Sequence, residues 1–134
     1  MTVYLLDTNI VSADAPAKRQ VGQDAFAAWV RDHGDRLYIS TVTIAEIEAG
    51  IARAIRIGAT TKAERLRKWL DAVEHFYAGR ILAFGIEDAR HAGAILDQAR
   101  SHDPGFEDIA IAATAAAHGG TVLTANERHF APLG

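Results

Sequence analysis

Val3-Tyr4-Leu5-Leu6 runs straight into Asp7, with Thr8 and Asn9 directly behind it. An apolar run this short fits a strand buried on both faces, and such strands belong to parallel sheets covered by helices. Asp7 then stands at the strand's C-terminal end, the edge at which open α/β sheets bind their ligands. Whatever else reaches that edge shares a site with a carboxylate.

The following segments alternate between helical and extended patterns. Asp24 is a candidate N-cap for a helix carrying Phe26, Trp29 and Val30, which Gly34 ends. Leu37-Tyr38-Ile39-Ser40 reads as a second strand. Ile44, Ile47, Ile51 and Ile55 then recur at spacings of three and four, one buried stripe of a helix closed by Gly58. Thr43 and Glu46 have the spacing of a capping box. Gly50 within that helix marks either a close backbone approach or simple tolerance. A helix opening at Thr61 carries Leu66, Trp69, Leu70, Val73 and Phe76, and Gly79 breaks it. Arg80 to Phe84 reads as a third strand, Ile86 to Ser101 as a helix, Phe106 to His118 as an Ala-rich helix, and Thr121 to Thr124 as a fourth strand. Short strands alternating with helices predict a parallel sheet covered on both faces. The expectation is a single α/β domain over residues 1–134.

Cysteine is absent, which removes disulfides and thiolate chemistry and fits a reducing cytoplasm. Asp7 interrupts the only early apolar run, so no secretory leader is expected. No stretch approaches the roughly 18–20 apolar residues a membrane helix needs. The net charge of −3 counts mildly against a nucleic-acid binder. Its distribution is uneven, however. From Arg53 to Lys68 six basic residues (Arg53, Arg56, Lys62, Arg65, Arg67 and Lys68) face one acid, Glu64. That run is either a solvated helix surface or a phosphate-contacting patch.

Acids recur where strands end or helices begin. Asp7 follows the first strand, Glu46 falls in the first turn after the second, and Asp108 falls in the first turn before the fourth. Asn126 and Glu127 follow the fourth strand. In a parallel sheet, strand C-termini and the N-termini of the following helices share one edge. Crowded carboxylates there stay ionised together only if a cation joins them. Hard oxygen donors select Mg²⁺ or Mn²⁺, and no His/Cys cluster offers a softer site. Such an ion activates water and holds a phosphate oxygen, the chemistry of phosphodiester hydrolysis. Helix dipoles at Glu46 and Asp108 are expected to keep both acids ionised. Each acid also has a purely structural reading: Asp7 as a helix cap, Glu46 as half of a capping box, Asp108 as a first-turn acid.

Four ordered blocks narrow the choice. They are Leu5-Leu6-Asp7-Thr8-Asn9; Ser40-Thr41-Val42-Thr43-Ile44-Ala45-Glu46-Ile47 with Gly50-Ile51; Phe106-Glu107-Asp108-Ile109-Ala110-Ile111-Ala112-Ala113-Thr114; and Leu123-Thr124-Ala125-Asn126 with Phe130. Together they resemble the PIN-domain nucleases, most of all the VapC-type toxins of bacterial toxin–antitoxin pairs, over nearly the whole chain. The resemblance implies a PIN-like three-layer α/β/α sandwich with a short, mainly parallel central sheet. It implies a Mg²⁺- or Mn²⁺-dependent endoribonuclease, a homodimer, and inhibition by a cognate antitoxin that plugs the cleft. Asp7, Glu46 and Asp108 match the family's principal acids and are implied to be catalytic and metal-binding. The rival reading is a decayed PIN-like module that binds RNA or protein.

The last block departs from the family pattern. His129 stands where an Asp commonly precedes the Phe, so the fourth metal ligand is Asn126 or Glu127. Thr8, Asn9 and Thr124 are expected to support the acids through hydrogen bonds. Arg53, Arg56, Lys62 and Arg65 are the candidate RNA contacts. Glu48 and Glu107 neighbour principal acids, and successive helical residues point about 100° apart, so both are expected to face elsewhere.

Overall fold

The computed structural model describes residues 3–8, 11, 32–103 and 105–124. Asn9, Asn126, Glu127, His129 and the helix expected after Asp24 lie outside the described residues. Tyr4–Leu6 forms β1, Leu37–Ser40 β2, Ile81–Leu82 β3 and Thr121–Leu123 β4. All pairings among them are parallel, in the order β3-β2-β1-β4. The helices are α1 (Thr41–Arg56), α2 (Thr60–Phe76), α3 (Ile86–Gln98) and α4 (Phe106–Ala117).

The strands are two to four residues long, and their side chains alternate between faces. Leu6, Leu37 and Ile39 pack on one face with Ile47 and Ile51 of α1 and with Leu70 and Val73 of α2. Leu5, Tyr38, Leu82 and Val122 pack on the other with Ile111 and Ala115 of α4. The sheet is therefore the middle of three layers, as the resemblance implies. Burying a Leu or Ile side chain contributes about 1.5–3 kcal/mol. Leu5, Leu6, Leu37 and Ile39 are all essentially inaccessible, so the two central strands hold the layers together.

Arg80 fixes the entry to β3. Its Nη1 donates to the carbonyls of Gly34 and Leu37, its Nη2 donates to the carbonyl of Phe76, and the guanidinium lies over the Phe76 and Tyr77 rings. It joins the chain before β2 to the end of α2. At α3, Asp88 caps the helix by accepting from the Gly85 N–H at 2.6 Å, and His118 at the end of α4 lies 3.6 Å from its other oxygen.

Two helical details differ from the sequence reading. The side chain that caps α1 is that of Ser40, whose Oγ accepts from the Val42 N–H at 3.0 Å. The helix thus starts a turn earlier than the Thr43–Glu46 spacing suggests, and Thr43 is buried inside it. The apolar stripe continues from Ile47 and Ile51 to Ala54, while Ile55 is 60% exposed. At 100° per residue a strict i+4 series drifts off the buried face. A Cβ on Gly50 would meet nothing, so no close approach requires that glycine.

Candidate active site

The β1–β4 register pairs Leu6 with Leu123, so the next residues, Asp7 and Thr124, are neighbours at the C-terminal edge of the sheet. The Asp7 N–H donates to the Leu123 carbonyl at 3.1 Å, and the Thr124 hydroxyl donates to Asp7 Oδ2. Asp7 is only 2% exposed. A buried carboxylate is tolerated only when hydrogen bonds or charges satisfy it, and Thr124 is one such partner.

Thr8 turns the other way, towards α1. Its hydroxyl donates to Glu46 Oε1 at 2.7 Å and lies 3.1 Å from Thr43 Oγ1. One hydroxyl carries one proton, and an ionised carboxylate can only accept. Thr8 spends its proton on Glu46, so Thr43 must be the donor to Thr8. The chain Thr43 to Thr8 to Glu46 has a fixed direction.

Glu46 also feels the opposite side of the site. Burial pushes its carboxyl above the ordinary value. The hydrogen bond from Thr8 works against that rise, and the negative charges of Glu107, Asp108 and Asp7 add to it. Asp108 lies in the first turn of α4, as expected, and is half-buried. α4 runs back from the C-terminal edge to β4, so its first turn meets the start of α1. The charges of Asp7 and Asp108, far from Glu46 in the chain, both act on its carboxyl. Glu46 itself lies in the second turn of α1, beyond the first turn in which the helix dipole was expected to act on it.

Glu107 is exposed, with Oε1 3.3 Å from where a Gly105 Cβ would lie, and its negative charge adds to the rise at Glu46. Glu48 does face away, bound to Arg67 through Oε1 at 2.5 Å and Oε2 at 3.1 Å. That pair joins α1 to α2. Thr43 as a hydrogen-bonding partner was missed, because its spacing from Glu46 suggested a cap.

The donor set is hard oxygen throughout, and mutual repulsion among its members is what a divalent cation relieves. Among the described residues, no three Asp, Glu or His side chains stand ready to hold one ion as they are placed. Asn126 and Glu127 are not among those residues. The chemistry therefore fits a hard divalent ion.

Four candidate RNA contacts, Arg53, Arg56, Lys62 and Arg65, are exposed. Arg67 pairs with Glu48 from α2 to α1, and Ile51 and Ala63 line one groove, so α1 and α2 form an antiparallel hairpin. The basic residues cluster at its far end. At 1.5 Å per residue, Arg53 and Arg56 lie about 10–15 Å beyond Glu46 along α1.

This edge, with its buried Asp7 and coupled acids, sits on a topology whose sequence matches the PIN domain over residues 4–133. The chain belongs to the PIN-domain family. Among curated relatives it is 33% identical to the VapC ribonuclease Y4jK of Sinorhizobium fredii, covering 98% of this chain and 93% of that protein. Among solved structures it is similar to FitAcB from Neisseria gonorrhoeae, with a TM-score of 0.80 and 31% identity over 98% of this chain and 93% of that one. It is also similar to DNA-bound VapBC from Salmonella typhimurium, with a TM-score of 0.70 and 27% identity over 98% and 92%. No helix among the described residues is long and apolar enough to cross a membrane.

Proposed function

We propose that this PIN domain is a divalent-metal-dependent endoribonuclease, the toxin of a toxin–antitoxin pair. The observation that carries the reading is the buried Asp7 at the C-terminal sheet edge, with its neighbour Thr8 hydrogen-bonded to Glu46 of α1. The relative named as a VapC ribonuclease supports the substrate, and the VapBC assembly supports a second protein that restrains the enzyme. Asp7, Glu46 and Asp108 would hold Mg²⁺ or Mn²⁺, with Asn126 or Glu127 completing the set. Such an ion would supply Lewis acidity, making a water easier to deprotonate into the attacking nucleophile, and positive charge to steady the phosphate.

The chain's own residues prepare that site. Thr124 holds Asp7 at the strand end. Thr8, fed by Thr43, aims Glu46 and stabilises its ionised form against burial. Asp108 approaches from α4. The exposed guanidinium and ammonium groups of Arg53, Arg56, Lys62 and Arg65 contact backbone phosphates two or three nucleotides along the strand. The domain acts as a homodimer over residues 1–134 in the cytoplasm, and its antitoxin occludes the acidic edge.

That no three acids among the described residues are placed to hold one ion favours a second reading, a PIN-like module that binds RNA or protein without cutting. Asp7→Asn separates the two. The nuclease reading expects RNA cleavage by the native chain in Mg²⁺ and a loss of at least a hundredfold in the variant, with an unchanged circular dichroism spectrum. Equal activity in both would remove Asp7 from the mechanism.

A further inference from the structure

The α3–α4 layer holds a buried carboxylate that the acidic edge does not use. Asp88, in the first turn of α3, is 4% exposed. Its Oδ2 accepts from the Gly85 N–H at 2.6 Å. Its Oδ1 is buried and accepts no hydrogen bond among the described residues. A carboxylate oxygen in that state has lost its water and gained nothing in return, which is costly. The imidazole of His118 faces it, with Nε2 at 3.6 Å. That is just beyond hydrogen-bonding distance, so a neutral ring leaves the oxygen unsatisfied. His118 is the C-cap residue of α4, and its side chain is 41% exposed, so protons reach it from solvent. A positive charge on the ring is attracted both by Asp88 and by the carbonyls at the end of α4.

We propose that His118 and Asp88 form a proton-operated clasp between the end of α4 and the start of α3. Protonation of the imidazole draws Nε2 onto Oδ1, and deprotonation releases it. The surroundings leave the pair to itself. On α3, Glu87 and Arg90 pair with each other at 3.0 Å, His91 is exposed, and Asp97 lies 3.7 Å from Arg100 at the far end. On α4, Glu107 and Asp108 occupy the opposite end, about 15 Å away along the helix. The start of α4 also faces Glu46 of α1. From the sheet, the Tyr38 phenol packs against α4, and Thr121–Leu123 carries no titratable group. The clasp secures one end of the helix that presents Asp108 at the other. A proton held more firmly in the folded state contributes stability that is present at acidic pH and is lost as pH rises through the imidazole range. The inference stands apart from the ribonuclease reading, since neither residue belongs to the acidic edge.

The test uses the full-length chain without added metal and compares the native protein, His118→Gln, Asp88→Asn and the double variant. Asparagine keeps an oxygen for the Gly85 N–H and removes the charge. Thermal melts at about pH 5.5 and about pH 8 bracket the range in which imidazoles titrate. His118→Gln should lower Tm by about 2–4 °C at the acidic end, the effect of a partly exposed ion pair, and by less than about 1 °C at the alkaline end. In the Asp88→Asn background the same substitution should change Tm by less than about 1 °C at either pH. Titration of Glu46 and of the other histidines is common to all four proteins and cancels in these differences. A second readout does not depend on how well the variants melt. The Gly85 amide resonance of the nitrogen-15-labelled native chain should move as pH crosses the imidazole range, and the movement should vanish in His118→Gln. A His118→Gln cost that is equal at both pH values, or that persists in Asp88→Asn, would make His118 an ordinary packing residue and overturn the proposal. A Gly85 amide that does not respond to pH, or responds equally in His118→Gln, would also overturn it.

Discussion

Thr8→Val tests the directed chain of hydroxyls. The variant keeps the shape of the side chain and removes its proton and lone pairs. Two costs follow. Glu46 loses its donor at 2.7 Å, a charge-assisted bond of about 1.5–3 kcal/mol when fully buried. Glu46 is only half-buried, so water replaces much of that bond and about 1 kcal/mol is expected to be lost. Thr43 is 0% exposed and loses the acceptor for its hydroxyl, which costs about 1–3 kcal/mol. The variant should therefore be destabilised by about 2–4 kcal/mol, on the order of 10 °C in Tm for a domain of this size. The assay is urea unfolding in metal-free buffer, with the midpoint falling and the m-value unchanged. Thr43→Val alone should cost under about 1 kcal/mol, since Thr8 keeps its bond to Glu46 and no buried donor is stranded. In the double variant both partners are apolar, and the cost should fall short of the sum by about 1–2 kcal/mol. Additive effects, or a Thr8→Val variant within about 0.5 kcal/mol of the parent, would refute the proton assignment.

Burial and like charge favour the protonated form of Glu46, so its titration links stability to pH with a definite sign. A carboxyl raised in the folded state contributes stability that is present at acidic pH and is lost as pH rises through its folded pKa. Glu46→Gln should therefore be more stable than the parent at pH 7 in metal-free buffer, with the gap closing on acidification, as thermal melts across pH would record. Arg80→Lys loses the planar fork that reaches Gly34, Leu37 and Phe76, and should lower stability by about 2 kcal/mol in urea unfolding. Lys62→Glu with Arg65→Glu should weaken RNA binding and reduce its salt dependence, by roughly 0.7 in log–log slope for each phosphate no longer neutralised. An unchanged slope would show that those residues do not touch the strand.

The strands were legible because they are apolar runs closed by glycine or by a capping residue. Leu37–Ser40 appears as read, and the others differ by one to three residues at their ends. The start of α1 was not legible. Ser40 and Thr43 both satisfy capping rules, and only burial separates a cap from a core hydroxyl. The position of Ile55 was misread because a run of i+4 spacings looks continuous in sequence while the helix face rotates away. The placement of Asp7, Glu46 and Asp108 at one edge of the sheet depended on strand order and on α4 returning to β4 beside β1. No local pattern encodes that pairing, so the family's ordered blocks supplied it.

The central claim is that carboxylates from β1, α1 and α4 close on one divalent ion. Calorimetric titration of the metal-free native chain with Mn²⁺, repeated on Asp7→Asn, Glu46→Gln and Asp108→Asn, tests it directly. The account predicts saturable binding by the native chain and a loss of at least tenfold in affinity in each variant. Binding of equal strength in all four proteins, or no binding by the native chain, would contradict it.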